Sequence, residues 1–289
     1  MFAKTLLRNS VILGSLLLAV SGCGSSGDGG GAAAQSGVQP TIIGGVPAIP
    51  HAWPSQVALL SSAESVNSEA QFCGGTVIAP DWVLTAAHCV DGLLPGDLDL
   101  AVGVSELSQE PEVSDRIPAA EIHVHPYYDP THQWKHDVAL VKLMSPTTAP
   151  ALPYAGKGSQ ELYWDGSLAK AVGWGLINSD QGDLISPTKL YEVDLTVLND
   201  ALCLKSYGSS FSPSMMVCAG NYRTGGQSVC SGDSGGPLMA ATEAGWVLIG
   251  LTSWSAMPCG TAYYPAVFAE VASYTDFIES VTGVAPYRN

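Results

Sequence analysis

Ser234 sits in the run Gly232-Asp233-Ser234-Gly235-Gly236, between glycines on both sides. A nucleophilic hydroxyl has to project from a tight turn whose backbone N–H groups converge on one spot, and glycines permit that close approach. Serine is a weak nucleophile until a neighbouring base takes its proton. His88, in Thr85-Ala86-Ala87-His88-Cys89, is the candidate base, with Cys89 placed to fix its loop. Asp137 opens the apolar run Asp137-Val138-Ala139-Leu140-Val141 and stands at the mouth of a strand-like segment. Each motif alone is a weak signal. The order His, Asp, Ser points to nucleophilic acyl transfer.

Other polar residues compete with this set for a functional role. His123 and His125 form a His-x-His pair with metal-ligand spacing, whereas His125-Pro126 reads more simply as structural. His51, His132 and His136 lack ligand spacing and are expected at the surface. Glu106, Glu110 and Glu112 make a carboxylate-rich stretch, but the six to eight oxygens that calcium needs are not evident. No metal and no cofactor is expected. The tryptophans are expected in the core or in a cleft wall.

These residues need a scaffold to bring them together. The chain has 289 residues, enough for one large or two small cores. Hydrophobic residues make up 46% and charged residues only 13%, the profile of a turn-rich globular protein. From Ile42 onward, apolar runs recur: Val57–Leu60, Thr76–Ile78, Leu98–Val104, Val138–Leu143, Lys170–Trp174, Lys189–Val197, Pro237–Ala240, Trp246–Trp254 and Ala266–Val271. They are strand-length, rich in β-branched residues and separated by Gly, Pro, Asn, Asp and Ser, which predicts an all-β sandwich or barrel. One helix is predicted, at the end of the chain. Tyr274, Ile278 and Val281 share a helical face, Ser273 with Asp276 has the spacing of a capping box, and Gly283 can stop the helix.

Residues 1–23 read as a targeting segment. Lys4 and Arg8 are its only charges, and the apolar run Val11 to Val20 is shorter than the roughly 20 residues that span a bilayer. Export makes disulfides the default reading of cysteine. Seven cysteines are an odd number, and Val20-Ser21-Gly22-Cys23 resembles the lipobox of bacterial lipoproteins, in which the cysteine is acylated. With Cys23 used for lipid, six cysteines remain and their pairing is open. An ordinary signal peptide cut after Ser21 is the alternative. Residues 24–41, mostly Gly, Ser and Ala, read as a flexible linker or propeptide, and 42–289 as the folded domain. The net charge of −15 excludes a nucleic-acid partner, whose phosphates require clustered Lys and Arg. A membrane enters only through a lipid at Cys23.

Over Ile42–Asn289 the chain resembles the trypsin/chymotrypsin family of serine proteases. The resemblance rests on the His88, Asp137 and Ser234 motifs together with Ile42-Ile43-Gly44-Gly45, Phe72-Cys73-Gly74-Gly75, Trp82-Val83-Leu84, Gly173-Trp174-Gly175 and Thr252-Ser253-Trp254. It implies two six-stranded antiparallel β-barrels with the active site in the cleft between them. It also implies the disulfides Cys73–Cys89, Cys203–Cys218 and Cys230–Cys259. By the same resemblance Gly232 and Ser234 supply the oxyanion hole, and Ser253 supports Asp137. Ile42 is the mature N-terminus after zymogen cleavage and pairs with Asp233. Ser228 stands at the base of the primary specificity pocket, where relatives that cleave after Arg or Lys have Asp. Trp254, Ser255 and Ala266 are its walls, the last two standing where open-pocket relatives have Gly. An elastase-like preference for small or medium uncharged residues is expected, with a chymotrypsin-like one as runner-up. Thr41 replaces the basic residue usual before the cleavage point, so the activating protease is not trypsin-like and self-processing is open. The partners are then protein or peptide substrates and the activating protease. A non-catalytic binding protein on the same fold and an esterase are the competing classes. Family members of the first kind lose part of the triad, and here all three residues are present.

Overall fold

The computed structural model describes residues 43–108, 116–131, 134–178 and 184–288. Strand β1 (Val46–Pro47) precedes β2 (Gln56–Ser61), β3 (Gln71–Ala79), β4 (Trp82–Thr85), β5 (Leu98–Val102), β6 (Arg116–Val124) and β7 (Ala139–Leu143). The last six close into an antiparallel barrel in the order β2-β3-β4-β7-β6-β5. After them come β8 (Leu168–Gly173), the hairpin β9 (Ile177–Asn178) and β10 (Leu184–Ile185), then β11 (Tyr191–Leu198), β12 (Met216–Ala219), β13 (Pro237–Thr242), β14 (Gly245–Trp254) and β15 (Ala266–Glu270). Here β11-β12-β15-β14-β13-β8 run side by side, and β8 pairs back onto β11 to close a second barrel, with β1 added along β11. The fold is the two-barrel architecture that the resemblance implies.

The apolar runs are continuous because several strands bury both faces. In β2, Val57 and Leu59 point into the first barrel. Ala58 and Leu60, on the opposite face, pack against Val172, Trp174, Leu190 and Met239 of the second. The same period of two divides β4 and β7. Val83, Ala139 and Val141 fill the first barrel, whereas Leu84 and Leu140 join Tyr154, Leu248, Leu251 and Ile278. One strand therefore serves a barrel core and the seam between barrels.

Among the described residues, β1, β4, β6, β9, β10 and β12 fall outside the apolar runs. β6 carries Arg116, Pro118 and Glu121, and β12 is only four residues long. Arg116 is buried with two of its three guanidinium nitrogens bonded: Nε donates to Asn67 Oδ1 (2.8 Å) and Nη1 to the Glu64 carbonyl (2.7 Å), close to Asp99. Among the described residues there are four α-helices rather than one: α1 (Asn67–Ala70), α2 (Ala87–Val90), α3 (Asp200–Tyr207) and α4 (Thr275–Thr282). α3 has its own start signal, since the Asn199 side chain accepts from Leu202 N (3.0 Å). α4 lies where it is predicted, with Ile278 buried and Gly283 in the left-handed conformation. Its capping box does not form. Ser273 Oγ donates instead to Glu270 Oε2 (2.5 Å) within a 3-10 turn, Val271–Tyr274, that leads into the helix.

The three disulfides are Cys73–Cys89, Cys203–Cys218 and Cys230–Cys259. The first lies beside His88 and takes up both sulfurs of a Cys-His-Cys cluster that could otherwise ligate a metal.

The His-x-His pair is split between two environments. His123 Nε2 meets Glu121 Oε2 (2.8 Å) on the surface. His125 lies flat against His136, ring centroids 4.8 Å apart and planes 2° from parallel. Phe277 and Tyr274 close on the same stack edge-on. His136 is thus half-buried rather than a surface residue, because its positive φ of 56° turns the ring inward against His125. Burial, then the charge of His136, push His125 down to about 4, and burial lowers His136 too. An unfolded histidine binds a proton near pH 6.5, so between about 6.5 and about 4 the unfolded chain takes up protons that the stack refuses. Stability is therefore full above about pH 6.5 and falls as the pH drops toward 4. The thermal midpoint of wild type should fall more between pH 7 and pH 5 than that of His125→Asn; equal falls would contradict this.

Candidate active site

The serine turn is clamped to both barrels. Gly232 and Gly235 take φ of 96° and 75°, conformations that only glycine adopts without strain. At Gly235 a Cβ would lie 2.6 Å from the Gly74 carbonyl, so the turn presses directly on β3. Gly74 N donates to the Ser234 carbonyl (2.7 Å), and Gln71 Nε2 donates to the Gly232 carbonyl (2.9 Å). From the second barrel, the Thr252 carbonyl in β14 accepts from Gly235 N (2.7 Å). Among the described residues, no backbone carbonyl accepts from the N–H of Gly232 or Ser234.

His88 lies on the single turn of α2, directly after β4. Its backbone N donates to Asp137 Oδ1 (2.9 Å), and its ring Nδ1 meets Asp137 Oδ2 (2.8 Å). Asp137 is 1% exposed and begins the turn into β7. Ser253 Oγ, from β14, donates to the same Oδ2 (2.5 Å). A carboxylate only accepts, so Nδ1 of neutral His88 carries the proton and Nε2 keeps its lone pair. Two barrels thus supply the three donors of one buried acceptor. Trp134, not singled out in the sequence, packs on the His88 ring with centroids 4.5 Å apart.

Beside Ser234 lies a cavity of about 240 Å³, walled by Trp134, Val229, Trp254, Ser255 and Met257 among others. Of the four specificity residues predicted, Trp254 and Ser255 line it. Ser228 and Ala266 lie behind the wall, 2% and 1% exposed. The Ser228 hydroxyl is turned to the Val229 carbonyl (2.9 Å). Val229 and Met257, both wall residues, have no motif that would have marked them.

Asp233 points away from the cavity, into a slot against Gly173 and Gly175, where any side chain would collide with its carboxylate. It accepts from Gly175 N and Cys230 N, both at 2.8 Å. Burial pushes its carboxyl up to about 7 against the lowering effect of those two bonds. Ile42 and Cys23 lie outside the described residues, as do His132, Glu110 and Glu112. The next residue, Ile43, is buried, and its carbonyl accepts from Ser228 N (2.9 Å). Glu106 accepts from Thr188 Oγ1 (3.1 Å).

A buried Asp–His pair, a serine held between glycines, and unengaged N–H groups beside an apolar slot form a site for nucleophilic acyl transfer. The comparison with known proteins agrees. The Trypsin family model matches residues 42–278. Brachyurin of Leptuca pugilator is 34% identical over 249 residues, covering 85% of this chain and 100% of that protein. Kallikrein-2 of Homo sapiens is 32% identical over 260 residues, covering 86% of this chain and 92% of that protein. The chain belongs to the trypsin family and is a serine endopeptidase.

Proposed function

We propose that His88, Asp137 and Ser234 are the catalytic triad, carried above all by the convergence of three donors on the Asp137 carboxylate. His88 Nε2 takes the Ser234 proton as Oγ attacks the scissile carbonyl, then delivers it to the leaving amine. The resulting acyl-enzyme is hydrolysed by a water that His88 deprotonates in turn. Asp137 holds the ring tautomer and stabilises the imidazolium, and Ser253 holds Asp137. Gly232 N and Ser234 N receive the oxyanion, each donor contributing roughly 2.7–4 kcal/mol in such sites. Ser234→Ala should lower turnover on a protein substrate by on the order of 10⁶ without changing the melting temperature. Asp137→Asn should lower it about 10⁴-fold by favouring the wrong tautomer. More than a few per cent of residual turnover in the purified Ser234→Ala protein would overturn the assignment.

The cavity favours small or medium uncharged residues before the cut. No carboxylate lines it, Ser228 standing behind the wall where relatives that cleave after Arg or Lys have Asp, and a cationic side chain buried there would lose its hydration without a counter-charge. The walls are Val229, Ser255 and Met257 rather than glycine. Discrimination among apolar residues is about 1–3 kcal/mol per methylene. A peptide series varied only at the residue before the cut should be cleaved faster after Ala, Val, Thr or Leu than after Arg or Lys; the reverse order would sink this reading.

The protein is made as a zymogen, exported, and activated by cleavage between Thr41 and Ile42. An unfolded Asp ionises near pH 4, whereas Asp233 does so near 7, so its ionisation destabilises the fold as pH rises through that window unless a cation joins it. The α-ammonium of Ile42 is that cation, its entry marked by the buried Ile43 next to Ser228. The pair then holds the Gly232–Ser234 turn. Cys23 carries the lipid that anchors the precursor to a bacterial envelope, and cleavage releases the enzyme, whose three disulfides suit an oxidising compartment. N-terminal sequencing of active enzyme should read Ile-Ile-Gly-Gly, and only the precursor should take up a fatty-acid label, which Cys23→Ala abolishes. Full activity with a far-upstream N-terminus contradicts the first part, and equal labelling of Cys23→Ala contradicts the second.

A further inference from the structure

A second cavity, of about 290 Å³, lies on the second barrel and is lined by Leu202 and Lys205 of α3, by Tyr222 and Arg223, and by Tyr263. None of these residues belongs to the proposed catalytic set. Its floor is apolar and aromatic: Tyr222 and Tyr263 meet edge-on with centroids 5.5 Å apart. Tyr263 is 55% exposed and has φ of 68°, a conformation costly for an aromatic residue. Tyr263 N donates to the Tyr222 carbonyl (2.6 Å), and Ser206 Oγ donates to the Tyr263 carbonyl (2.6 Å). These bonds pin a displayed tyrosine in place.

Lys205 and Arg223 approach this floor from different segments, and both are exposed. Among the described residues neither forms an ion pair, although the chain carries 26 acidic residues against 11 basic ones. Two free cations flanking tyrosines on so acidic a protein form a local positive island.

We infer that this cavity is an exosite for a peptide segment that carries one large apolar side chain flanked by carboxylates. At about 290 Å³ the cavity has room for one large side chain. Lys205 and Arg223 meet the carboxylates on either side, and the tyrosines receive the apolar group. A sulfated glycan is disfavoured, because it offers no large apolar group to the Tyr222–Tyr263 pair. The site is tied to the substrate cavity through the chain. Tyr222–Arg223 leads along the chain to Val229, Tyr263 follows Met257, and the Cys230–Cys259 disulfide joins the two segments. Tyr207 of α3 packs edge-on against Trp254 (4.7 Å).

The probe is a fluorescein-labelled Glu-Glu-Phe-Glu-Glu peptide, titrated by fluorescence anisotropy into the Ser234→Ala protein so that no cleavage intervenes. Saturable binding is expected, weakened about tenfold by the Lys205→Glu/Arg223→Glu double variant, as two surface ion pairs would give. A Gln-Gln-Phe-Gln-Gln peptide should bind about tenfold more weakly for the same reason. Wild-type enzyme blocked with a small fluorophosphonate should bind the probe as well as the unblocked protein. Melting temperature and turnover of a short neutral peptide should be unchanged in the double variant, which separates a lost exosite from a lost fold or a failed catalytic assignment. Absence of saturation, equal affinity in the double variant, displacement by the fluorophosphonate, or tighter binding of a heparin oligosaccharide than of the peptide would each overturn the inference.

Discussion

A carboxylate that is 1% exposed has to find hydrogen-bond donors, and Asp137 finds them in two different barrels. His88 gives two from the turn after β4, and Ser253 gives one from β14. Neither barrel alone meets the demand, so the position of His88 depends on how the barrels pack. Removing one donor would leave a buried acceptor partly unpaired, which costs about 1–3 kcal/mol and more when the group is charged.

The seam that keeps those donors in place is built by strands buried on both faces. Leu84 and Leu140 point out of the first barrel into the cluster with Leu248, Leu251 and Ile278, and Ala58 and Leu60 do the same against Trp174 and Met239. The site residues lie at the ends of these very strands: His88 follows β4, Asp137 precedes β7, and Ser253 is in β14. A dense apolar seam resists small displacements, because interiors are packed like organic crystals. The polar constellation thus inherits its precision from apolar contacts.

The glycines of the serine turn express the same constraint from the other side. Gly235 lets the turn approach β3, while Gly173 and Gly175 leave the slot that Asp233 fills. One face of the turn therefore presents Ser234 to the cavity, and the opposite face buries a carboxylate with two backbone donors. Substituting Gly173 or Gly175 would push Asp233, and with it the turn, out of register.

Much of this was legible in the residues alone. Strand-length apolar runs marked nine of the strands, because a strand buried on both faces leaves an uninterrupted signal. The motifs proposed to form the triad were legible because a tight glycine turn and a histidine beside a cysteine leave local traces. What escaped depends on distant partners. Strand β6 was hidden by Arg116, whose burial depends on Asn67, Glu64 and Asp99, none of them its neighbours in sequence. The capping box at Ser273 failed because Ser273 falls inside the preceding 3-10 turn, which leaves Tyr274 at the N-cap of the helix. His136 turned inward because His125 was there to stack against. Sequence by itself determined the class of fold and put forward the residues proposed to carry the chemistry, since both are written in local pattern. Only the tertiary structure decided that Trp134 covers His88, that Val229 rather than Ser228 lines the cavity, and that Lys205 and Arg223 meet beside two tyrosines. Those are juxtapositions across barrels and loops, and local spacing holds no record of them.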